Sequence, residues 1–192
     1  MTRYAAPLAI GLIGIVILLW LGTWQIQRLA WKEAILDDIA QTIAGPSQPL
    51  PAPGKADPVT HRYQPVTLQG DIGDKALHVL VSVKRQGPGW RAISRLTVQD
   101  DRGATRHLLL DRGFVPVADK GRTVARRAVT LTGNLHWPDD RNSSTPDNDV
   151  DGDTWFARDI PAMAAHLGTE PLLVILRDMT PPDAGVTPLP VD

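Results

Sequence analysis

No cysteine occurs among the 192 residues. That absence removes disulfides, thiolate catalysis, cysteine-bound zinc and iron–sulfur clusters together, and it leaves cysteine usage silent about the redox compartment. An excess of one charge is lacking too. Twenty Lys and Arg stand against 21 Asp and Glu, a formal charge of −1, so no overall field recruits nucleic acid. The common catalytic signatures are also missing: no G-x-S-x-G, no H-E-x-x-H, no G-x-G-x-x-G and no phosphate loop. Nucleophilic hydrolysis, zinc proteolysis and dinucleotide chemistry therefore have no local support. No internal repeat is visible. The chain reads as non-enzymatic, with a binding or assembly role.

What is present begins with an uncharged run. Between Arg3 and Arg28 there is no charged residue, and Ala5–Leu21 is almost wholly aliphatic. About 20 apolar residues at a rise of about 1.5 Å span a hydrocarbon core of about 30 Å. Inside lipid every backbone polar group must be paired within the segment, which favours a helix. Residues 4–27 are thus predicted to cross a bilayer once, behind a short tail of residues 1–3. Trp20, Trp24 and Trp31 lie toward the end of the run, where amphipathic rings can sit among headgroups. A cleaved signal would have an apolar core of only about 7–15 residues; this one is longer and bulky residues follow it, so a retained anchor is predicted. Arg3 and the amino terminus on one side nearly balance Arg28 and Lys32 on the other, so charge leaves the sidedness open.

Residues 28–44 are predicted to continue as an amphipathic helix, with Leu29, Leu36, Ile39 and Ile43 set against Lys32, Glu33, Asp37 and Asp38. Residues 45–58, rich in proline, read as an extended spacer. A β-rich domain follows at 59–180. Its strand signals are Pro65–Ile72, Lys75–Val83, Trp90–Gln99, Thr105–Val117, Val129–His136 and Pro171–Arg177, with a hairpin turn at Asp100–Gly103 and another turn at Gly87–Gly89. In Val129–His136 the residues Thr130, Thr132, Asn134 and His136 alternate with apolar ones, so they are placed on a wet face. Ile160–Leu167 is predicted to be a helix, capped by Asp159 and ended by Gly168. Residues 181–192 read as an extended tail. The fold class is a transmembrane helix plus a mainly-β (α+β) soluble domain, an antiparallel sheet or small barrel with one short helix.

Two patterns could carry chemistry. Asp147, Asp149, Asp151 and Asp153, with Gly152 at loop position six, resemble a calcium loop, but Arg158 stands where a bidentate glutamate belongs. A solvated acidic turn is the preferred reading, and no metal site is assigned. The five histidines (His61, His78, His107, His136 and His166) have no second ligand at metal spacing and read as ordinary surface or satisfied residues. Arg122, Arg126 and Arg127 read as a solvated basic loop.

Four segments taken together resemble the surfeit locus protein 1 family. They are Leu21–Arg28 with Trp31 and Lys32; Gly87–Trp90 with Arg95 and Leu96; Leu108–Pro116; and Trp155–Ile160 with Met163, Ala164, Leu167 and Gly168. The family commonly has proline where Arg95 stands. The resemblance implies motif roles for Arg28, Trp31, Arg112, Gly113, Arg158 and Asp159. It implies assembly of cytochrome c oxidase, with haem a as the cofactor handled and with the oxidase large subunit, the haem a synthesis machinery and the lipid bilayer as partners. It places the domain on the periplasmic side of a bacterial inner membrane, or the mitochondrial equivalent. Trp24 and Gln25 become candidate contacts for haem or a partner helix. A permanent accessory subunit of a respiratory complex is the alternative role. The family's second span, with a histidine near its start, would follow Pro190, where the sequence reaches Asp192. None of the five histidines matches that ligand position, so no haem ligand is assigned.

Overall fold

The computed structural model describes residues 4–100, 102–121 and 126–191. Asp101 of the hairpin turn, Arg122 of the basic loop, the 1–3 tail and Asp192 lie outside the described residues. The chain divides into two compact units at Thr42/Ile43.

The first unit is most of helix α1, Ala5–Ala44. Forty residues make a rod about 60 Å long, twice the thickness of a hydrocarbon core. The helix is long and apolar enough to cross a membrane. Leu12, Ile15 and Leu19 are exposed along it, and no charge interrupts this part. The Thr23 hydroxyl donates to the Leu19 carbonyl at 2.8 Å, so its polar atom is satisfied within the helix. The amphipathic extension is helical without a break, as the spacing predicts.

The second unit is a closed barrel in the order β1-β2-β3-β5-β4. The strands are β1 Pro65–Val83, β2 Gly87–Gln99, β3 Thr105–Pro116, β4 Arg127–His136 and β5 Leu173–Thr180, with helix α2, Ile160–Leu167, before β5. The two predicted strands at 65–72 and 75–83 are one strand with a register shift between Ile72 and Ala76. Gly87–Gly89 is strand, not turn: Gly89 pairs with Val81 on one side and Pro116 on the other. Glycine is needed there because a Cβ on Gly89 would lie 2.3 Å from the Phe114 ring. Asp100 builds the β2–β3 turn, its Oδ1 accepting from the N–H groups of Arg102 and Ala104.

Alternation gives the barrel two apolar layers. Val66, Leu68, Leu96, Leu108, Leu110, Leu131, Leu135 and Val174 belong to one cluster. Leu77, Val79, Ile93, Leu109, Leu173 and Ile175 form the other, covered by Trp155 and by Ile160, Met163, Ala164 and Leu167 of α2. The helix ends follow the sequence. Asp159 caps the start by accepting from the Ala162 N–H, and Gly168 ends α2 at φ 65°.

Two further expectations are corrected. Asn134 and His136 are buried, at 0 % and 3 % exposure. Strand β4 is flanked on both sides in the closed barrel, and Tyr63 stacks on His136 while its carbonyl accepts from the Asn134 amide. The proline-rich 45–58 segment is not a free spacer. The Gln48 N–H donates to the Pro65 carbonyl, Gln64 Nε2 donates to the Pro49 carbonyl, and Leu50 and Ala56 pack on the barrel core.

Candidate functional site

On the barrel, the motif residues Arg112 and Arg158, together with Arg91 and Arg106, neutralise buried charge. Arg91, Arg106, Arg112 and Arg158 are each at most 6 % exposed. An unpaired guanidinium at such depth would cost several kcal/mol, so each must meet an acid. Arg91 Nη1 donates to Asp111 Oδ2 at 2.9 Å, and Asp111 Oδ1 accepts from the Gly113 N–H at 3.0 Å. Arg158 grips Asp140 in a fork, with Nε–Oδ2 at 2.6 Å and Nη2–Oδ1 at 2.7 Å. Such two-pronged pairs fix orientation as well as charge.

The other two arginines act at a distance along the chain. Arg106 holds Glu170 at 2.9 and 2.7 Å and also donates to the Pro51 carbonyl at 2.7 Å. The Glu170 carboxylate raises the Arg106 guanidinium above its ordinary value. Arg112 Nε donates to Asp183 Oδ2 at 2.6 Å, and Arg127 Nη2 meets Asp183 Oδ1 at 2.8 Å. Arg127 is therefore the first residue of β4 and an ion-pair partner, not part of a solvated loop. One strand thus clamps both proline-rich flanks: Arg106 holds residue 51 before the barrel, and Arg112 holds residue 183 after it.

Gly113 explains why a glycine follows that arginine. The segment after β5 crosses β3 here, with the Phe114 N–H donating to the Thr187 carbonyl at 2.7 Å and the Thr187 N–H returning to Phe114 at 2.9 Å. Gly113 sits at φ 116°, and a Cβ on it would come within 2.2 Å of the Thr187 oxygen. Leu189 is buried beyond the crossing, and Val191 packs on the outer apolar cluster. The predicted tail is extended, but it is packed against the barrel, bridged to β3 at Phe114–Thr187. Gly113→Ala is expected to lift it: backbone strain alone costs about 1–3 kcal/mol, and protease cleavage between Pro181 and Val191 should rise with β1 and β4 intact.

The acidic loop uses its oxygens internally. Asp147 pairs with Arg141, Asp149 Oδ1 accepts from the Gly152 N–H, Asp151 is exposed, and Asp153 accepts from His78 Nδ1 at 2.5 Å. Asn148 Oδ1 accepts from the Phe156 and Ala157 N–H groups. Among the described residues, no three His, Asp or Glu side chains gather as a metal site.

Sequence reasoning missed one cluster. His78 meets the Trp90 ring edge-on at 6.2 Å, and Lys120 Nζ lies 4.1 Å from that ring's centroid while donating to Thr154 Oγ1 at 3.1 Å. With Asp153, these four residues tie the acidic loop to the β1–β2 hairpin. On α1, Trp24 is 46 % exposed, and the Arg28 guanidinium lies 5.3 Å from its ring. Trp31 is exposed as well, and so is Gln25.

The core clusters are mostly aliphatic, with Trp155 in the outer one. Clefts of ≈ 350, ≈ 410 and ≈ 340 Å³ on the barrel include only one histidine, His166. His61 meets Asp57, His78 meets Asp153, and His107 meets Thr97 through Nδ1.

A family model described as the SURF1 family matches residues 12–191. Surfeit locus protein 1 of Gallus gallus is 29% identical, over 80% of this chain and 55% of its own. The Homo sapiens protein of that name is 29% identical, over 80% and 57%. A SURF1-like protein of Dictyostelium discoideum is 25% identical, over 91% and 77%. The chain spans about half the length of the vertebrate relatives first named.

Proposed function

The chain belongs to the SURF1 family, and on that premise we propose that it is a membrane-anchored assembly factor for cytochrome c oxidase. In this reading α1 holds the barrel at the inner membrane, on the periplasmic or intermembrane-space side. The barrel attends the oxidase large subunit while haem a is inserted, alongside the haem a synthesis machinery. The observation that carries the reading is the use of the motif residues. Arg112, Gly113, Arg158 and Asp159 hold a tail, a loop and a helix cap in place, which is the work of a scaffold.

The three clefts described on the barrel carry one histidine between them, His166, and that lining does not fit a haem group. Haem a supplies the redox chemistry of the finished oxidase, and this chain's share is to hold partners in position. Trp24 and Gln25, exposed on α1 near its first charge, are the proposed contacts for a haem edge or a partner helix. Trp24→Ala is expected to leave insertion of the chain unchanged while lowering haem a in the oxidase several-fold, read from reduced-minus-oxidised spectra of membranes. Unchanged spectra would remove the contact.

Purified mature oxidase tests the role itself. An assembly factor is absent or substoichiometric in it, and cells without the chain make less haem a-containing oxidase. One copy per oxidase would instead establish a permanent subunit.

A further inference from the structure

We propose that the cleft between the irregular part of β1 and the end of α2 binds a phosphate group. This ≈ 350 Å³ cleft is lined by Gly73, Asp74, Lys75, Arg95, His166 and Gly168, among others. Every fully buried arginine of the barrel is ion-paired. Arg95 is different. It is half-buried on β2, and among the described residues neither it nor Lys75 has a side-chain hydrogen bond or ion pair. A Cβ on Gly73 would lie 3.6 Å from Arg95 Cβ and 3.9 Å from its Nε, so the arginine side chain runs along the glycine. The register shift between Ile72 and Ala76 leaves residues 73–75 outside the pairing with β2.

Lys75 and Arg95 bring two positive charges against the single carboxylate of Asp74. One alternative task for them would be to neutralise the carbonyl end of α2. That end is already capped by its own backbone: the N–H groups of Gly168 and Thr169 both donate to the Ala164 carbonyl. A guanidinium fork, an ammonium point charge and an imidazole around one cleft suit an oxyanion, and the three donor groups match the several oxygens of a phosphate. The volume leaves room for the group that carries the phosphate. That carrier is either a soluble phosphate ester or a phospholipid headgroup.

The test uses the full chain in non-ionic detergent, titrated calorimetrically with inorganic phosphate, with dihexanoyl phosphatidylglycerol and with dihexanoyl phosphatidylcholine as a neutral comparison. Saturable binding of phosphate supports a soluble ester. Binding of phosphatidylglycerol without free phosphate supports a headgroup. In either case Arg95→Gln is expected to weaken binding at least about tenfold, the loss of one charge-assisted hydrogen bond, with the melting temperature kept. Lys75→Gln should weaken it less and reduce its dependence on salt. The proposal is overturned by no saturable heat with any of the three at millimolar concentration, or by an Arg95→Gln chain that binds as wild type does. A variant that loses stability while the wild type binds nothing would equally overturn it, by assigning Arg95 to the fold.

Discussion

Replacing Arg112 by Leu is expected to lower the unfolding free energy by about 3–5 kcal/mol, the range for breaking a buried pair from one side. Asp183 has a side-chain exposure of 8 % and would keep only Arg127, whose own side chain is 26 % exposed. That remaining partner puts the expected loss toward the lower end. Among the described residues the tail's one bridge to a strand is Phe114–Thr187, so the ion pair and the packing of Leu189 and Val191 do the rest of the fixing. Denaturant unfolding of the full chain in detergent measures the loss. The double variant Arg112→Leu, Asp183→Leu should recover part of it, because neither charge is then left stranded. A single-variant loss within about 1 kcal/mol, the value of an exposed pair, would contradict the clamp.

Trp155→Ala is expected to cost about 3–5 kcal/mol, the range for deleting a buried aromatic from a packed core. Trp155 is 1 % exposed and is among the largest fully buried side chains of the outer cluster, beside Met163 and Ile175. Its backbone bridges β1, with its N–H donating to the His78 carbonyl and its carbonyl accepting from Leu80. Those bonds survive truncation, so α2 should loosen while the inner barrel persists. Thermal unfolding should show the full loss, and hydrogen exchange should rise first in Ile160–Leu167. A variant as stable as wild type would mean that α2 is not seated on this ring.

Local features of the fold were legible where local rules decide. The charge-free run predicted the membrane-length helix; the Asp159 cap and Gly168 predicted α2 to the residue; alternation predicted most of the strands. The parallel β3–β5 pair was not legible, because periodicity gives a strand's faces but not its neighbours. Asn134 and His136 were misplaced for the same reason, since a polar residue on alternation reads as wet until a covering segment, here Tyr63, is known. Gly87–Gly89 misled because glycine and proline signal turns, whereas here close approach of Phe114 demands the glycine.

The motif roles were least legible. Arg112 meets an acid 71 residues away, Arg106 one 64 away and Arg158 one 18 away. No spacing rule connects such pairs. The sequence marked Arg112 and Arg158 but not what they hold, and it did not mark Arg106. The remaining signal was composition. Two proline-rich flanks, which cannot pair as regular strands, have to be held by side chains if they are to pack at all.

Hydrogen exchange at the Phe114 and Thr187 amides tests that clamp most directly, because each donates to the other residue's carbonyl. In the wild-type chain both should be protected as strongly as the amides of β1 and β4. In Arg112→Leu they should exchange far faster while β1 and β4 stay protected. Equal protection of the two amides in both proteins, or their free exchange in the wild type, would contradict the account of β3 as the strand that pins its flanking segments.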